Sequence, residues 1–235
     1  MNTAIIVAAG KGTRFNSSRP KQFLEILGKP IIIHTLERFE HCPAIDEIVL
    51  VLSAADLNDF AKTADRSDIS KLKKIVAGGA SRAGSVRNGF DVVDAATGVV
   101  AVHDGARPLV SSDEISLTIK RAAETGAACL VAPVTDTIKT VDGGSITGTV
   151  DRTKLRRALT PQAFRYGILR QALSDSELDD SVTDECFLVE KLGVRVAFVE
   201  GSAQNIKITR PKDLILAEAL IEADDRLRIL EDVSK

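Results

Sequence analysis

The stretch AIIVAAGKGTRF, residues 4–15, decides the fold of this chain. Ala4 to Ala8 form a short apolar run without a charge, which is typical of a strand buried on both faces. The small residues Ala9 to Gly12 follow, and such a loop lets backbone N–H groups approach an anion closely. Arg14 and Lys21 add two permanent cations beside the loop. We therefore predict a polyphosphate site at the end of the first strand.

Outside this stretch, apolar runs alternate with amphipathic segments. We predict strands at residues 47–53, 74–76, 99–102, 128–132, 194–199 and 205–208, and helices at about 30–39, 85–93, 112–124, 160–173, 185–192 and from 211 onward. This alternation indicates an α/β protein with a Rossmann-like, three-layer arrangement around a mostly parallel mixed sheet. Ligands bind such sheets at the carboxyl ends of their strands.

Residues 134–154 interrupt the alternation. TIKTVDGGSITGTV (137–150) alternates polar and apolar residues around Asp142-Gly143-Gly144, which predicts a protruding β-hairpin arm. A lone hairpin is marginal in water, so we expect the arm to pack against a second copy of the chain in a homodimer. The alternative is a hairpin folded back on its own domain. Because no linker divides residues 1–235, we predict a single domain.

Composition and charge narrow the possible functions. A formal net charge of −2 gives no general attraction for nucleic acid, so anion binding must be local. The sequence shows no export signal and no run of about 18 apolar residues, so we predict no membrane span and a cytoplasmic location. Cys42, Cys129 and Cys186 lack CxxC spacing, which disfavours a zinc site.

Two common phosphate-binding motifs are absent. The pattern GxxxxGK[ST] does not occur, which excludes a P-loop NTPase. Gly10-Lys11-Gly12 lacks the third glycine of a dinucleotide fingerprint, and the second strand ends in Ser53 rather than in an acid that could bind a ribose. An NAD-dependent oxidoreductase is therefore disfavoured.

A different set of motifs occurs in order along the chain. They are AAGKGTRF (8–15), RPKQF (19–23), GGASRAGSVRNG (78–89), VHDGARP (102–108), APVTDTIK (132–139), VDRTKLRRALTPQAF (150–164), TDE (183–185) and NIKITRP (205–211). Together they resemble the 2-C-methyl-D-erythritol 4-phosphate cytidylyltransferase family, among the sugar- and alditol-phosphate nucleotidyltransferases, over about residues 4–220. Ribitol-5-phosphate cytidylyltransferases share several of the motifs, and the VDRxxL segment favours the erythritol-phosphate family.

The resemblance implies a nucleotidyltransferase fold and a reaction at the α-phosphorus of CTP. The phosphate of 2-C-methyl-D-erythritol 4-phosphate attacks, giving 4-diphosphocytidyl-2-C-methyl-D-erythritol and pyrophosphate, in non-mevalonate isoprenoid biosynthesis. Both substrates are anions, so the site must neutralise charge, and a phosphate dianion needs no side-chain base to attack. Arg14, Lys21 and Lys207 are the predicted catalytic cations.

The resemblance also implies binding residues. Those for the nucleotide are Ala8, Ala9, Gly10, Lys11, Gly12, Gly79, Ala80, Ser85 and Gly105, although many relatives carry an acid where this chain has Ala80. Those for the acceptor are Asp104, Arg107, Thr137, Arg152 and Thr160, with Thr137 and Arg152 supplied by the arm of the neighbouring subunit.

Two acidic positions have alternative interpretations. Asp104 follows a buried strand and could hold Mg²⁺, the implied cofactor, or could cap the turn that follows. Thr183-Asp184-Glu185 matches a family motif, while Ser181 to Asp184 also fits a capping box for the next helix.

Overall fold

The computed structural model describes residues 1–10, 15, 20–64, 69–179 and 181–233, without the side chains of 61–64, 225 and 227–233. The strands are β1 (Asn2–Ala8), β2 (Glu25–Ile26), β3 (Lys29–Pro30), β4 (Glu47–Leu52), β5 (Leu72–Ala77), β6 (Val99–Asp104), β7 (Ala127–Pro133), β8 (Ile138–Asp142), β9 (Ser145–Val150), β10 (Arg156–Arg165) and β11 (Ala197–Glu200). The helices are α1 (Ile31–Glu40), α2 (Leu57–Ala64), α3 (Arg82–Phe90), α4 (Ser112–Thr125), α5 (Tyr166–Ser174), α6 (Glu185–Lys191) and α7 (Pro211–Val233). Short 3₁₀ turns lie at Lys21–Phe23, Ala54–Asp56 and Arg152–Lys154.

Seven strands form one mixed sheet in the order β11-β7-β10-β6-β1-β4-β5. β1 pairs in parallel with β4 and β6, whereas β10 runs antiparallel between β6 and β7. The other two pairs, β4 with β5 and β7 with β11, are parallel. The predicted mostly parallel α/β fold is confirmed.

Helices cover both faces of this sheet, and the central strand β1 directs apolar side chains to each face. Ala4 and Ile6 pack in one core with α1 and α4, and Ile5 packs in a second core with α3, α5 and α6. All three side chains are fully buried. The opening apolar run therefore has the central, two-sided environment that its composition indicates.

The predicted hairpin is present as β8 and β9, which pair with each other in a separate two-stranded sheet. Its turn residues Gly143 and Gly144 have φ angles of 49° and 80°, which glycine adopts without strain. Val141 pairs with Ile146 across the strands, and both stay about 70% exposed. Packing of this arm on a second copy stays a prediction.

The predicted helix over residues 160–173 is wrong in its first part. Residues 156–165 form β10, and the helix begins only at Tyr166. Pro161 misled the prediction because proline often opens a helix. Here it lies where the pairing of β10 with β7 shifts register, so its missing N–H costs no regular ladder bond.

Two smaller predictions also need correction. Residues 205–208 form no strand, because Asn205 N–H and Ile206 N–H bond the nearby carbonyls of Ser202 and Gln204, while Arg107 binds the Asn205 carbonyl. Ile208 N–H bonds the carbonyl of Ala106. The helix after Ser181 is capped by Asp184, whose carboxylate accepts from Phe187 N–H, rather than by a box that starts at Ser181. In the part of the chain that the structure describes, no helix is long and apolar enough to cross a membrane.

Candidate active site

The loops after β1, β5 and β6 meet at the carboxyl edge of the sheet. A methyl group built on Gly78 would lie 2.3 Å from Cβ of Ala9, and one built on Gly105 would lie 2.9 Å from Cβ of Ala8. Only glycine fits these contacts without displacement of the neighbouring loop. The tertiary structure thus brings the predicted nucleotide residues of three separate motifs together.

The β5–α3 loop is held by serine hydroxyl groups. Ser81 caps α3 by accepting from Gly84 N–H at 2.9 Å, and Ser85 Oγ accepts from Gly79 N–H at 3.1 Å. A methyl group on Gly79 would lie 2.8 Å from the backbone of Gly84. Gly79 and Ala80 are exposed.

Asp104 is the centre of the site, because three cations converge on its carboxylate. Arg82 Nε lies 3.2 Å from Oδ1, while Lys207 Nζ and Arg107 Nε lie 2.9 and 3.4 Å from Oδ2. The Asp104 side chain is only 9% exposed. Burial would raise the pKa of this carboxyl, but the three positive charges outweigh burial and hold the pKa well below its usual range.

Thr160 supports Asp104 from the middle of β10. Its Oγ1 accepts from Asp104 N–H at 3.1 Å and lies 2.9 Å from Nδ1 of His103. His103 Nε2 faces the carbonyl of Arg107 at 3.1 Å, so Nε2 must carry the ring hydrogen. Nδ1 then accepts the Thr160 hydroxyl hydrogen, which is therefore not available to a phosphate. The predicted direct contact of Thr160 with the acceptor stays a prediction.

Arg82 and Glu185 belong to the site, although neither was predicted to act in it. Arg82 Nη1 lies 2.7 Å from Oε1 of Glu185, whose side chain is fully buried. Burial raises the pKa of Glu185, and the nearby Arg82 opposes this shift. Arg82 could have been predicted from the sequence, because it follows a glycine-containing loop just as Arg14 does.

Lys21 and Lys207 approach the site from opposite ends of the chain. Lys21 Nζ donates to the carbonyl of Ile208 at 3.3 Å, one residue beyond Lys207. Gln22 and Phe23 are buried, and Gln22 Nε2 donates to Asp56 at 2.9 Å, which anchors the turn that carries Lys21. The structure therefore brings these two predicted cations to one end of the sheet.

A cavity of about 330 Å³ opens in front of Asp104. Its charged lining consists of Arg82, Arg107 and Lys207 against Asp104 and Asp184, a balance of three positive to two negative groups. Both Asp184 oxygens accept hydrogen bonds, from Phe187 N–H and from Gln162 Nε2. The cavity is thus suited to an anion, as the sequence predicts.

Other predicted site residues lie outside this cavity or outside the described residues. Thr137 and Arg152 are exposed at the base of the hairpin and do not line the cavity of their own chain. The Arg152 guanidinium donates to the carbonyl of Thr135. Lys11, Gly12 and Arg14 fall outside the described residues.

The donor set allows one protein ligand for Mg²⁺. Among the described residues, no three His, Cys, Asp or Glu side chains cluster as a metal site. Within the described part of the chain, Asp104 Oδ1 accepts from Arg82, and an oxygen with one donor keeps a lone pair for another ligand. Mg²⁺ commonly takes one or two carboxylates, with phosphate oxygens and water as its other ligands, so Asp104 fits that role.

A mixed α/β sheet with glycine loops and a cation-lined cavity at its carboxyl edge defines a phosphate-binding transferase of the nucleotidyltransferase type. Residues 2–223 match the family model described as IspD: 2-C-methyl-D-erythritol 4-phosphate cytidylyltransferase. The chain belongs to this family.

Individual relatives agree with that assignment. The 2-C-methyl-D-erythritol 4-phosphate cytidylyltransferase of Halalkalibacterium halodurans is 42% identical over 225 residues, which cover 95% of this chain and 98% of the relative. That of Syntrophotalea carbinolica is 43% identical over 93% of this chain and 95% of its own length. The crystal structure of 4-diphosphocytidyl-2C-methyl-D-erythritol synthase from Anaerococcus prevotii superposes with a TM-score of 0.82 at 29% identity, covering 94% of this chain and 96% of that one.

Proposed function

We propose that this chain transfers the cytidylyl group of CTP to 2-C-methyl-D-erythritol 4-phosphate and releases pyrophosphate. The activity follows from its family and fits non-mevalonate isoprenoid biosynthesis. The observation that carries the assignment at the level of chemistry is the convergence of Arg82, Arg107 and Lys207 on the buried Asp104. Two mutually repelling phosphate compounds can meet only where fixed positive charge offsets their own.

In this proposal the lysines act on charge that develops during attack. The acceptor phosphate attacks the α-phosphorus of CTP in line, one P–O bond forms, and the bond to the leaving pyrophosphate breaks. Lys21 and Lys207, together with Arg14, stabilise the negative charge on the five-coordinate phosphorus. Arg107 and Asp104 orient the acceptor, and the β1 and β5 loops hold the nucleotide. Positioning and charge stabilisation supply the catalysis.

We further propose that Asp104 binds Mg²⁺ together with the phosphate oxygens of CTP. The support is the chemistry of its carboxylate, which is ionised and has one oxygen with a single hydrogen-bond donor. When bound, the ion would neutralise phosphate charge. Removal of divalent cations with a chelator should therefore abolish turnover, and addition of Mg²⁺ should restore it.

The homodimer is also part of the proposal. Support comes from the separate hairpin with its exposed Val141 and Ile146, and from Thr137 and Arg152 at its base, away from the cavity of their own chain. In a dimer these two residues would complete the acceptor site of the partner.

Pyrophosphate release tests the reaction directly. Purified protein with CTP and Mg²⁺ is given 2-C-methyl-D-erythritol 4-phosphate or, in parallel, ribitol 5-phosphate. We expect release only with the first acceptor. Equal release with ribitol 5-phosphate, or none with either, would contradict the proposed acceptor.

A further inference from the structure

Five residues form a closed circuit of contacts beside the cavity, and four of them line it. Asp104 Oδ1 binds Arg82 Nε, and Arg82 Nη1 binds Glu185 Oε1. The backbone N–H of Glu185 donates to Gln162 Oε1 at 3.1 Å, and Gln162 lies two residues after Thr160 on β10. Thr160 Oγ1 accepts from Asp104 N–H and so completes the circuit. We name this set the carboxylate–guanidinium ring.

The ring connects four elements. Asp104 ends β6, Arg82 begins α3, Glu185 begins α6, and Thr160 with Gln162 lies within β10. Hydrogen bonds that join separate elements fix the relative position of those elements more firmly than bonds within one element. Asp104 is thus held both through its backbone and through its carboxylate.

Glu185 is the member whose presence needs an explanation. Its side chain has no exposed surface, its Oε2 has no hydrogen-bond partner among the residues that the structure describes, and it does not line the cavity. A buried carboxylate is costly unless it is paired, and Arg82 is the cation that it binds. Glu185 therefore cannot bind substrate itself and can act only through Arg82.

We propose that Glu185 is a positioning residue, which holds the Arg82 guanidinium in the orientation that places Nε against Asp104 Oδ1. The planar fork of arginine can bind a single carboxylate through two parallel N–H groups. Here the guanidinium is divided between two carboxylates, with Nη1 on Glu185 Oε1 and Nε on Asp104 Oδ1. The remaining lone pairs of Asp104 stay directed at Lys207, Arg107 and the cavity, where a substrate binds.

This inference rests on the proposed cytidylyl transfer, and the first measurement separates the two. Wild-type pyrophosphate release from CTP and 2-C-methyl-D-erythritol 4-phosphate tests the function. Variants are then compared with wild type. Glu185→Gln keeps the shape of the side chain and removes its charge, so we expect kcat/KM for the acceptor to fall about tenfold or more, with the KM for CTP nearly unchanged.

A matched control removes a carboxylate from the same helix without touching the ring. Glu190 lies on α6 and is exposed. Glu190→Gln should retain wild-type kinetics. If Glu185→Gln folds with wild-type thermal stability and also retains wild-type kinetics for both substrates, the proposal is overturned.

Chemical rescue distinguishes positioning from support of the fold. Arg82→Ala opens space beside a cavity already about 330 Å³ in volume, so free guanidinium can enter. We expect millimolar guanidinium chloride to restore turnover to Arg82→Ala, and the same concentration of urea, which is uncharged and similar in shape, to have no effect. The double variant Arg82→Ala with Glu185→Gln should not be rescued, because the group that holds the guanidinium is gone.

Two outcomes contradict the proposal. Equal rescue of the single and double variants would show that Glu185 does not hold the cation. Absence of rescue in a folded Arg82→Ala that still binds CTP would show that no guanidinium is required at this position. Should Arg82→Ala fail to fold, the kinetics of Glu185→Gln decide the question alone.

Discussion

Thr160 shows how single hydrogen atoms determine the site. Its hydroxyl accepts from Asp104 N–H and donates to His103 Nδ1, while His103 Nε2–H donates to the Arg107 carbonyl. In this chain of hydrogen bonds, only one assignment of donors and acceptors gives every group a partner. A neutral His103 is required, because a second ring hydrogen would leave the Thr160 hydroxyl hydrogen without its acceptor.

The burial of His103 predicts that the stability of the protein depends on pH. Burial lowers the pKa of His103 from 6.5 to about 4. His103 takes up a proton near pH 6.5 in the unfolded chain but only near pH 4 in the folded protein. Its contribution to the free energy of unfolding is therefore complete above pH 6.5 and is lost as the pH falls from 6.5 to 4. The expected loss is about 3 kcal/mol, measured by denaturant unfolding between pH 7 and 4.

Comparison of two histidine variants isolates this effect. His103→Asn should be less stable than wild type at pH 7 and should lose less stability on acidification. His41→Asn, at an exposed position, should keep the wild-type slope. An unchanged slope in His103→Asn would assign the acid sensitivity to other groups.

A second prediction for a single residue concerns the effect of Lys21 on the rate of the reaction. Its charge matters most when the α-phosphorus becomes five-coordinate, so Lys21→Ala should lower kcat about 100-fold or more, with a smaller effect on the KM for CTP. Lys29→Ala removes a surface lysine paired with Glu37 and should leave both constants unchanged. A raised KM for CTP with kcat unchanged in Lys21→Ala would indicate ground-state binding instead.

At the scale of elements, the site depends on the close approach of loops. The β5–α3 loop contacts the β1 loop so closely that a methyl group on Gly78 would lie 2.3 Å from Ala9 Cβ and 2.8 Å from Ser85 Oγ. The two loops would have to separate to admit it. Nucleotide binding, which we assign to these loops, should then suffer before the fold does.

Gly78→Ala tests this arrangement. We expect the KM for CTP to rise about tenfold or more, with a smaller effect on kcat, measured by steady-state pyrophosphate release. Gly167→Ala is the matched control, because Gly167 is exposed in α5 and no atom would lie within 4 Å of the added methyl group. That change should keep the kinetics and raise stability by up to about 1 kcal/mol. Normal CTP binding by Gly78→Ala would mean that the loop contact is dispensable.

At the scale of the whole molecule, the proposed dimer predicts complementation between inactive subunits. Lys21→Ala and Arg152→Ala chains are each impaired. In a mixed dimer, one site would combine the intact Lys21 of one chain with the intact Arg152 of the other. Random exchange should therefore restore about one quarter of wild-type activity.

A second mixture provides the control. Lys21 and Lys207 meet within one chain, so dimers of Lys21→Ala with Lys207→Ala chains contain no intact site and should stay inactive. No recovery in the first mixture, after subunit exchange has been verified by mass, would contradict a site shared between subunits.

Much of the architecture was predictable from local patterns. The uncharged run at Ala4–Ala8 indicated a central strand, because only a strand covered on both faces tolerates such composition. Asp142-Gly143-Gly144 indicated the hairpin, because its turn needs residues that accept positive φ. Family motifs supplied the cytidylyl transfer and most of the proposed site residues. A cytoplasmic location stays a prediction.

Long-range packing decided what these patterns could not. Thr160-Pro161-Gln162 has the local features of a helix start, yet it lies in β10, because burial between β6 and β7 outweighs local preference. Arg82 and Glu185 lie 103 residues apart, and neither reveals its partner by spacing. The sequence alone determined the central strand at Ala4–Ala8 and the hairpin turn at Asp142-Gly143-Gly144, since these depend on neighbouring residues. Only the tertiary structure decided which charges meet at Asp104, since a buried ion pair forms where separate elements bring its members together and exclude water.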